Sequence, residues 1–567
     1  MPSRAGVVRV VGNWLEVTFP HDLHIAHALR SVGGRRLALG VWRVPSARLS
    51  DLAKRLQPFP FEWEAAAAEL YEQERALDSR LQREDRLALM VKAGEPVIGQ
   101  WESPVPLLSH QRTGVEFLAV RSGALLCDEQ GLGKTLTALV AFWLVRSRQE
   151  AQRLLVVCPN SLKHTWEKEI HRFFPAWRVS LAAGYKGRRR RAYDRDADVY
   201  VVNYEAARSD YADLRLLLRK APTVLVCDES HTAKNSGSRT AWALAFIRSA
   251  AQRIWLMSGT PVTNRMEDCY AQVFIADGSR TLGTKDEFWA RYVRAEDRAA
   301  ATEELKYALS PVLFRRTKEE VLDLPDKVFE DRYVELRGEQ RKLYEAVRQS
   351  LYAEVKEMAP QLFDKVLPNV LTRLLRLAQV ASNPRLVFPQ FEGDPAKGTE
   401  IDVLLEDLIR ANGRKVVLWS HYVRTIEELV QRYRDYTPVA VYGAVEPSHR
   451  ARAVEQFQED PATMLFVGNP QAAGTGLTLT AAHYAIYETL TWRYDLYAQS
   501  LDRIHRIGQT RSVTYFRLLA YDTIDTDIAD NLQRKQKLVA EVLGDRDRIL
   551  PFTKDDVLGM LGRHRSS

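Results

Sequence analysis

The chain runs to 567 residues, too long for one hydrophobic core, so several domains are expected. Hydrophobic residues at 46% and charged residues at 27% exclude a disordered chain, and no apolar run reaches the length of a membrane span. The formal net charge of +8 favours a polyanionic partner, although charges spread along the whole chain suit a merely soluble surface equally well.

In chain order, the N-terminus MPSRAGVVRVVGNW lacks the unbroken apolar stretch of a signal peptide, so a soluble, intracellular protein is expected. Residues 1–95 form a separate unit: a strand over VRVVGNWLEVTF, a helix over His24–Val32, then GGRR, VWRVP and another helix, closed by a helix around Glu62–Lys92. From Leu107 to Pro261, short apolar strands (ALLCDE, RLLVVCP, DVYVVNY, TVLVCDE, RIWLMSG) alternate with helical segments, the rhythm of a parallel α/β sheet. Polar residues sit where each strand ends, the place where open α/β sheets bind ligands. Val328–Thr399 is helix-rich without strand rhythm and is expected to be a connector. A second strand set follows: KVVLWSH, TPVAVYG, TMLFVGN, HYAIYET and VTYFRLL. Thr523–Leu543 carries helical apolar spacing that should brace this second lobe, and GRHRSS should be a frayed tail. The expected boundaries are therefore 1–95, 96–327 (first lobe), 328–399 (connector), 400–545 (second lobe) and 546–567 (tail).

Cys127, Cys158, Cys227 and Cys269 form no CxxC pair, so no structural zinc is expected. Three of them lie in apolar runs and read as reduced core residues of a cytosol-like compartment.

The first chemistry lies in ALLCDEQGLGKT. Gly131, Leu132 and Gly133 let backbone amides close around phosphate, Lys134 supplies charge, and Thr135 can place a hydroxyl on magnesium at a helix N-terminus. Asp128 occupies the place of the first glycine of the generic phosphate loop. In TVLVCDESH, Asp228 can hold magnesium while Glu229 polarises the attacking water. Gln111 can pair with both edges of adenine, which would make ATP the fuel, or it can cap a turn. Far downstream, AQSLDRIHRIGQT offers Gln499, Arg503 and Arg506. The arginines, three apart, share one helix face and can neutralise charge on a transferring phosphoryl group; the alternative is a basic face solvated or paired with Asp502.

Together these motifs resemble the superfamily 2 helicase-like ATPases, and within them the Swi/Snf-type duplex DNA translocases. The matching segments are DEQGLGKT (128–135), PNSLKHTWEKE (159–169), DESHTAKN (228–235), LMSGTPVTN (256–264), LFRRTKEEVLDLPDK (313–327) and DRIHRIGQT (502–510). Gly443, Arg450 and Phe457 fall seven apart, as in the family. The fold this resemblance implies is α/β: two tandem RecA-like parallel-sheet lobes, a helical connector and a small N-terminal α+β accessory domain. Ser230, the AAGTGLT loop at 472–478 and Glu488–Trp492 are similar to the annealing-helicase branch. Residues 8–57 resemble its HARP-type module, with an unrelated α+β domain as the alternative.

The resemblance implies ATP and Mg2+ as cofactors and a duplex or branched DNA partner, with Ser161, Lys163, Asn203, Tyr204, Gly474, Thr475 and Gly476 meeting phosphate. Ser258, Gly259 and Thr260 would couple the ATP site to DNA. The run Arg188–Arg191 reads as a phosphate contact, as a solvated loop or as a nuclear localisation run. Three functions are then in play: a translocase that remodels or anneals DNA, a strand-separating helicase on DNA or RNA, and a DNA-binding scaffold with an inactive motor. The compact size points to the cytoplasm of a bacterial or phage-infected cell rather than a nucleus.

Overall fold

The computed structural model describes residues 6–20, 22–233, 237–259, 267–471, 477–542 and 554–562. Met1–Ala93 and Gly94–Ser567 are two compact units.

In the first unit, VRVVGNWLEVTF is a hairpin rather than one strand. Gly6–Val11 and Trp14–Thr18 pair antiparallel with Val11 opposite Trp14. Gly12 makes the turn at φ +61°, a conformation that a side chain resists. Arg35–Ala38, Val41–Pro45 and Phe61–Trp63 complete a five-stranded sheet. Val8, Leu15, Val17 and Trp42 share its core with Leu29 and Leu52 of the helices Leu23–Ser31 and Leu49–Leu56. Because Phe61–Trp63 pairs with Gly6–Val8, the long helix begins only at Ala65 and runs to Lys92.

In the second unit, residues 123–314 build a seven-stranded parallel sheet. Its order is Leu313–Phe314, Gly123–Leu126, Arg253–Met257, Thr223–Asp228, Arg153–Cys158, Val199–Asn203, Val179–Leu181. Thr223–Asp228 is buried throughout, as a strand covered on both faces must be, and for that reason it shows a continuous apolar run rather than alternation. The strand order sets the phosphate loop after Leu126, the loop after Met257 and the acidic pair after Cys227 side by side.

The other lobe is a six-stranded parallel sheet in the order Lys327–Val334, Val513–Ala520, Tyr484–Tyr487, Val416–Trp419, Leu465–Gly468, Val439–Val441. Here the expected connector is corrected. Its first residues are the edge strand Lys327–Val334, which carries Glu330, Asp331 and Arg332 and so shows no apolar rhythm. Edge strands tolerate such charges because one side is open. Its helices Gly338–Glu357 and Pro360–Ser382 pack Tyr344, Leu351, Leu374 and Leu377 into the same core as Trp419, Phe466 and Tyr515. This segment is thus part of the second lobe's core. The helix Ile524–Val542 braces it through Ile524, Ile528 and Leu532. The side chains of Leu538, Val539 and Val542 lie outside the described residues. Part of the expected tail is a helix, Lys554–Gly562, which buries Val557 and Leu561 and is tied by the Lys554 ammonium to the Met358 carbonyl.

All four cysteines are buried thiols outside any disulfide. Among the described residues, no helix is long and apolar enough to cross a membrane.

Candidate functional site

The loop between Leu126 and the helix Lys134–Ser147 is built around two glycines in the left-handed region, Gly131 at φ +90° and Gly133 at φ +81°. A Cβ at Gly133 would stand 2.3 Å from the Gln111 amide nitrogen, so the close approach also demands glycine there. Lys134 folds over the loop, its ammonium 2.6 Å from the Asp128 carbonyl and 3.3 Å from that of Glu129. Gln111 accepts from the Leu108 N–H at 3.0 Å and donates to the Leu132 carbonyl at 3.2 Å, and His110 meets the same carbonyl at 3.1 Å. Gln111 therefore braces the loop while lining the cavity. Asp128 is corrected as a nucleotide contact. It is buried, and both its carboxylate oxygens accept from Arg316, at 3.0 and 2.5 Å.

Asp228 ends its strand with each oxygen held: Oδ1 by the Glu229 N–H at 3.0 Å and Oδ2 by the Trp166 indole N–H at 2.9 Å. Burial and the adjacent Glu229 charge push its carboxyl up from the usual range. Burial opposes ionisation of Glu229 too, but the His231 hydrogen bond and the Lys134 charge outweigh it and hold that carboxyl low. Glu229 sits at φ +51°, a strained conformation for a residue with a side chain and one that clusters at functional sites. His231 Nδ1 lies 3.3 Å from both Glu229 Oε2 and Ser258 Oγ, joining the acidic pair to the next strand end. Gly259 packs against Gln130, where a Cβ would approach within 2.6 Å. Thr260 lies outside the described residues.

The second lobe closes the site. The helix Tyr494–Leu501 stops before the arginines, which lie in the turns that follow rather than on one helix face. The Gln509 amide holds those turns by donating to the carbonyls of Ala482 at 2.9 Å and Ile504 at 3.3 Å. Arg503 is buried, and burial together with the neighbouring Arg506 pushes its guanidinium down to about 10. Burial lowers Arg506 as well. Both arginines and Gln499 line a cavity of about 640 Å³ with Lys134, Thr135 and Asp228. At its rim a Cβ on Gly131 would come within 3.3 Å of the Arg506 Cβ. Thr135 and Asp228 offer oxygen donors to one space, the donor type that magnesium takes.

The expected DNA contacts divide. Ser161 is exposed, and Asn203 donates to Glu205 at 2.6 Å. Tyr204 is buried behind the acidic pair, its hydroxyl donating to the Asp228 carbonyl at 2.7 Å, so the side chain braces the site instead of facing a phosphate backbone. Lys163 is also buried, and burial pushes its ammonium down. Gly474, Thr475 and Gly476 lie outside the described residues. Arg188–Arg191 belong to the helix Lys186–Asp194, not a loop. Arg189 is spent on Asp210 and Arg190 on Asp213. Ser230 donates to Gln272 and Glu488 accepts from Ser382 and Ser420, so both serve the interior.

Sequence reasoning missed Trp166 and Tyr204 as supports of Asp228. The available signal was that a buried indole or phenol needs a hydrogen-bond partner. It also gave no role to Lys318, whose ammonium reaches Asp502 at 2.5 Å.

The chain is similar to known proteins over most of its length. Residues 110–386 match the SNF2-related domain and residues 399–508 the helicase conserved C-terminal domain. An uncharacterized ATP-dependent helicase of Mycoplasma pneumoniae is 28% identical over 452 residues, covering 77% of this chain and 42% of that protein. The putative ATP-dependent helicase/translocase YwqA of Bacillus subtilis is 29% identical over 77% of this chain and 48% of its own length. The DNA annealing helicase and endonuclease ZRANB3 of Bos taurus is 27% identical over 79% of this chain and 42% of its own. The chain thus spans less than half the length of these relatives.

Proposed function

The chain is a Swi/Snf-type helicase-like protein of superfamily 2, carrying the SNF2-related and helicase C-terminal domains in tandem, and from that premise we propose that it is an ATP-driven translocase on duplex or branched DNA. The observation that carries this reading is that the second lobe's Arg503 and Arg506 line the same cavity as the phosphate loop and the Asp228–Glu229 pair. The loop amides and Lys134 would hold the ATP phosphates, with Gln111 toward adenine. Magnesium, held by Thr135 and Asp228 along with phosphate oxygens, would supply charge neutralisation on the transferring group. Glu229 would take a proton from the attacking water, its low carboxyl keeping it ionised at neutral pH. Arg503 and Arg506 would offset the developing phosphoryl charge, and Gln499 would help place them.

Hydrolysis that depends on groups from two lobes makes turnover depend on their approach, so each cycle closes and reopens the cleft. Ser258, tied through His231 to Glu229, and Gly259 beside it would pass that motion toward DNA held near Ser161 and Asn203. Nothing at these positions reads bases, so binding should be independent of sequence. Fork remodelling or annealing in repair, replication or recombination is the use we favour. It is supported by the 27% identity to an annealing helicase and by an N-terminal strand–helix unit read as HARP-like.

The test is steady-state ATPase activity with single-stranded, duplex and forked DNA and with RNA, beside strand displacement on a tailed duplex. Stimulation by duplex or forked DNA with little displacement is expected. Stimulation by RNA above DNA, or robust unwinding from a tail, would favour a strand-separating helicase. No turnover with any nucleic acid would leave a binding scaffold.

A further inference from the structure

We propose that Lys318 is a positioning residue: it latches the arginine-bearing turns of the second lobe to the phosphate loop, so that Arg503 and Arg506 reach the site only while the latch is made. The proposal rests on the ATPase reading above. Lys318 follows the edge strand Leu313–Phe314 of the first lobe, in a segment pinned there twice. Arg316 clamps Asp128, and the Lys318 backbone N–H donates to Glu129 Oε2 at 2.8 Å. Asp128 and Glu129 both belong to the loop that cradles phosphate. From this anchor the Lys318 side chain, 1% exposed, crosses to the second lobe.

There its ammonium makes two contacts, 2.5 Å to Asp502 Oδ1 and 2.7 Å to the His505 carbonyl. Asp502 immediately precedes Arg503 and His505 immediately precedes Arg506, so each contact fixes the backbone beside one arginine. His505 adds a second strap, its Nε2 2.7 Å from the Pro325 carbonyl. The Lys318 stem also touches the loop itself, its Cε 3.3 Å from where a Cβ on Gly131 would stand. Glu129, 3.9 Å from the ammonium, is shared with Lys327 at 3.8 Å and cannot serve Lys318 alone. Charge-assisted hydrogen bonds such as these are roughly twice as strong as neutral ones. Separating the lobes would strip Lys318 of Asp502 and the His505 carbonyl together, and this biases the protein toward the arrangement in which the arginines face the loop.

The test uses the full chain. Because all four native cysteines are buried, cysteines placed at exposed Leu216 in the first lobe and Val403 in the second can carry a donor–acceptor pair for inter-lobe energy transfer. Lys318→Met should leave affinity for a fluorescent ATP analogue within about twofold, lower DNA-stimulated kcat by roughly tenfold or more, and shift the population to low transfer. Lys318→Arg, which keeps a donor, should recover part of both. The double variant Lys318→Met/Asp502→Leu strands neither charge yet still lacks the latch, so it should stay in the low-transfer population; its return to high transfer would assign the single-variant effect to a stranded charge and overturn the latch. Should Lys318→Met not fold, Asp502→Asn and the double variant carry the same comparison. Turnover within twofold of the wild type with unchanged transfer in the single variants overturns the latch. If the unaltered protein shows no DNA-stimulated hydrolysis, the motor reading fails, while the energy-transfer comparison still decides the latch.

Discussion

Trp166→Phe should weaken magnesium use far more than it weakens the fold. The indole N–H is 2.9 Å from Asp228 Oδ2, and the ring, 1% exposed, lines the cavity. A hydrogen bond to a charged group contributes about 1.5–3 kcal/mol, which corresponds to about a 10- to 100-fold change in an equilibrium constant. Phenylalanine keeps most of the ring packing but leaves Oδ2 free to turn. The expected result is a magnesium half-saturation for ATPase activity raised about tenfold or more, in line with the loss of a group that orients a metal ligand. The smaller ring should lower stability by about 1–2 kcal/mol, which a denaturant melt reads separately.

The pH profile gives a second readout. The Trp166 bond lowers the Asp228 carboxyl, which burial and Glu229 have already raised. Removing that bond raises it further. Since the ionised form holds the metal, activity is lost as pH falls through this group, and the variant's acid limb should move to higher pH. A folded Trp166→Phe protein with unchanged magnesium half-saturation and an unmoved acid limb would refute the assignment of Asp228 as the metal-holding carboxylate.

Lys134→Ala and Glu229→Gln should each abolish ATP turnover while leaving DNA binding intact in a mobility-shift assay. Arg506→Ala should preserve ATP binding and lose DNA-stimulated hydrolysis; retained stimulation would mean the second-lobe assignment is wrong. Asp277, pushed up to about 6 by burial, tests the fold rather than the site. With its folded value above its unfolded one, the carboxyl stabilises the protein only while protonated. Stability should therefore fall as pH rises from about 4 to about 6 and stay at the lower level above that. Asp277→Asn should flatten this dependence and stabilise the protein at pH 7 by about 1–2 kcal/mol in urea unfolding, a figure discounted for its partial exposure.

Much of the candidate site was legible because its requirements are local. Gly131 and Gly133 adopt positive φ, Lys134 opens a helix, and Asp228–Glu229 end a buried strand. A strand, a tight loop and a helix start are each specified by neighbouring residues, so their order in the chain already marked the segments that line the candidate site. The charged edge strand Lys327–Val334 was not legible, because an edge needs no apolar alternation. The turn at Gly12, which splits one apparent strand into a hairpin, was missed for a different reason: the residues on both sides continue the same pattern.

The sequence by itself therefore determined the two parallel-sheet lobes and the motifs at their strand ends. Which of these carboxylates lines the cavity was decided only by tertiary structure. Asp128 and Asp228 both lie at the end of a buried strand, yet Arg316 takes both oxygens of Asp128, while Trp166 and Tyr204 hold Asp228, which lines the cavity. Those partners lie far away in the chain, and no local spacing encodes them. The same holds for the lobe arrangement. The arginines of DRIHRIGQT were visible as residues, but their place opposite Gly131 depends on contacts such as Lys318 with Asp502, made between residues 184 apart in the chain.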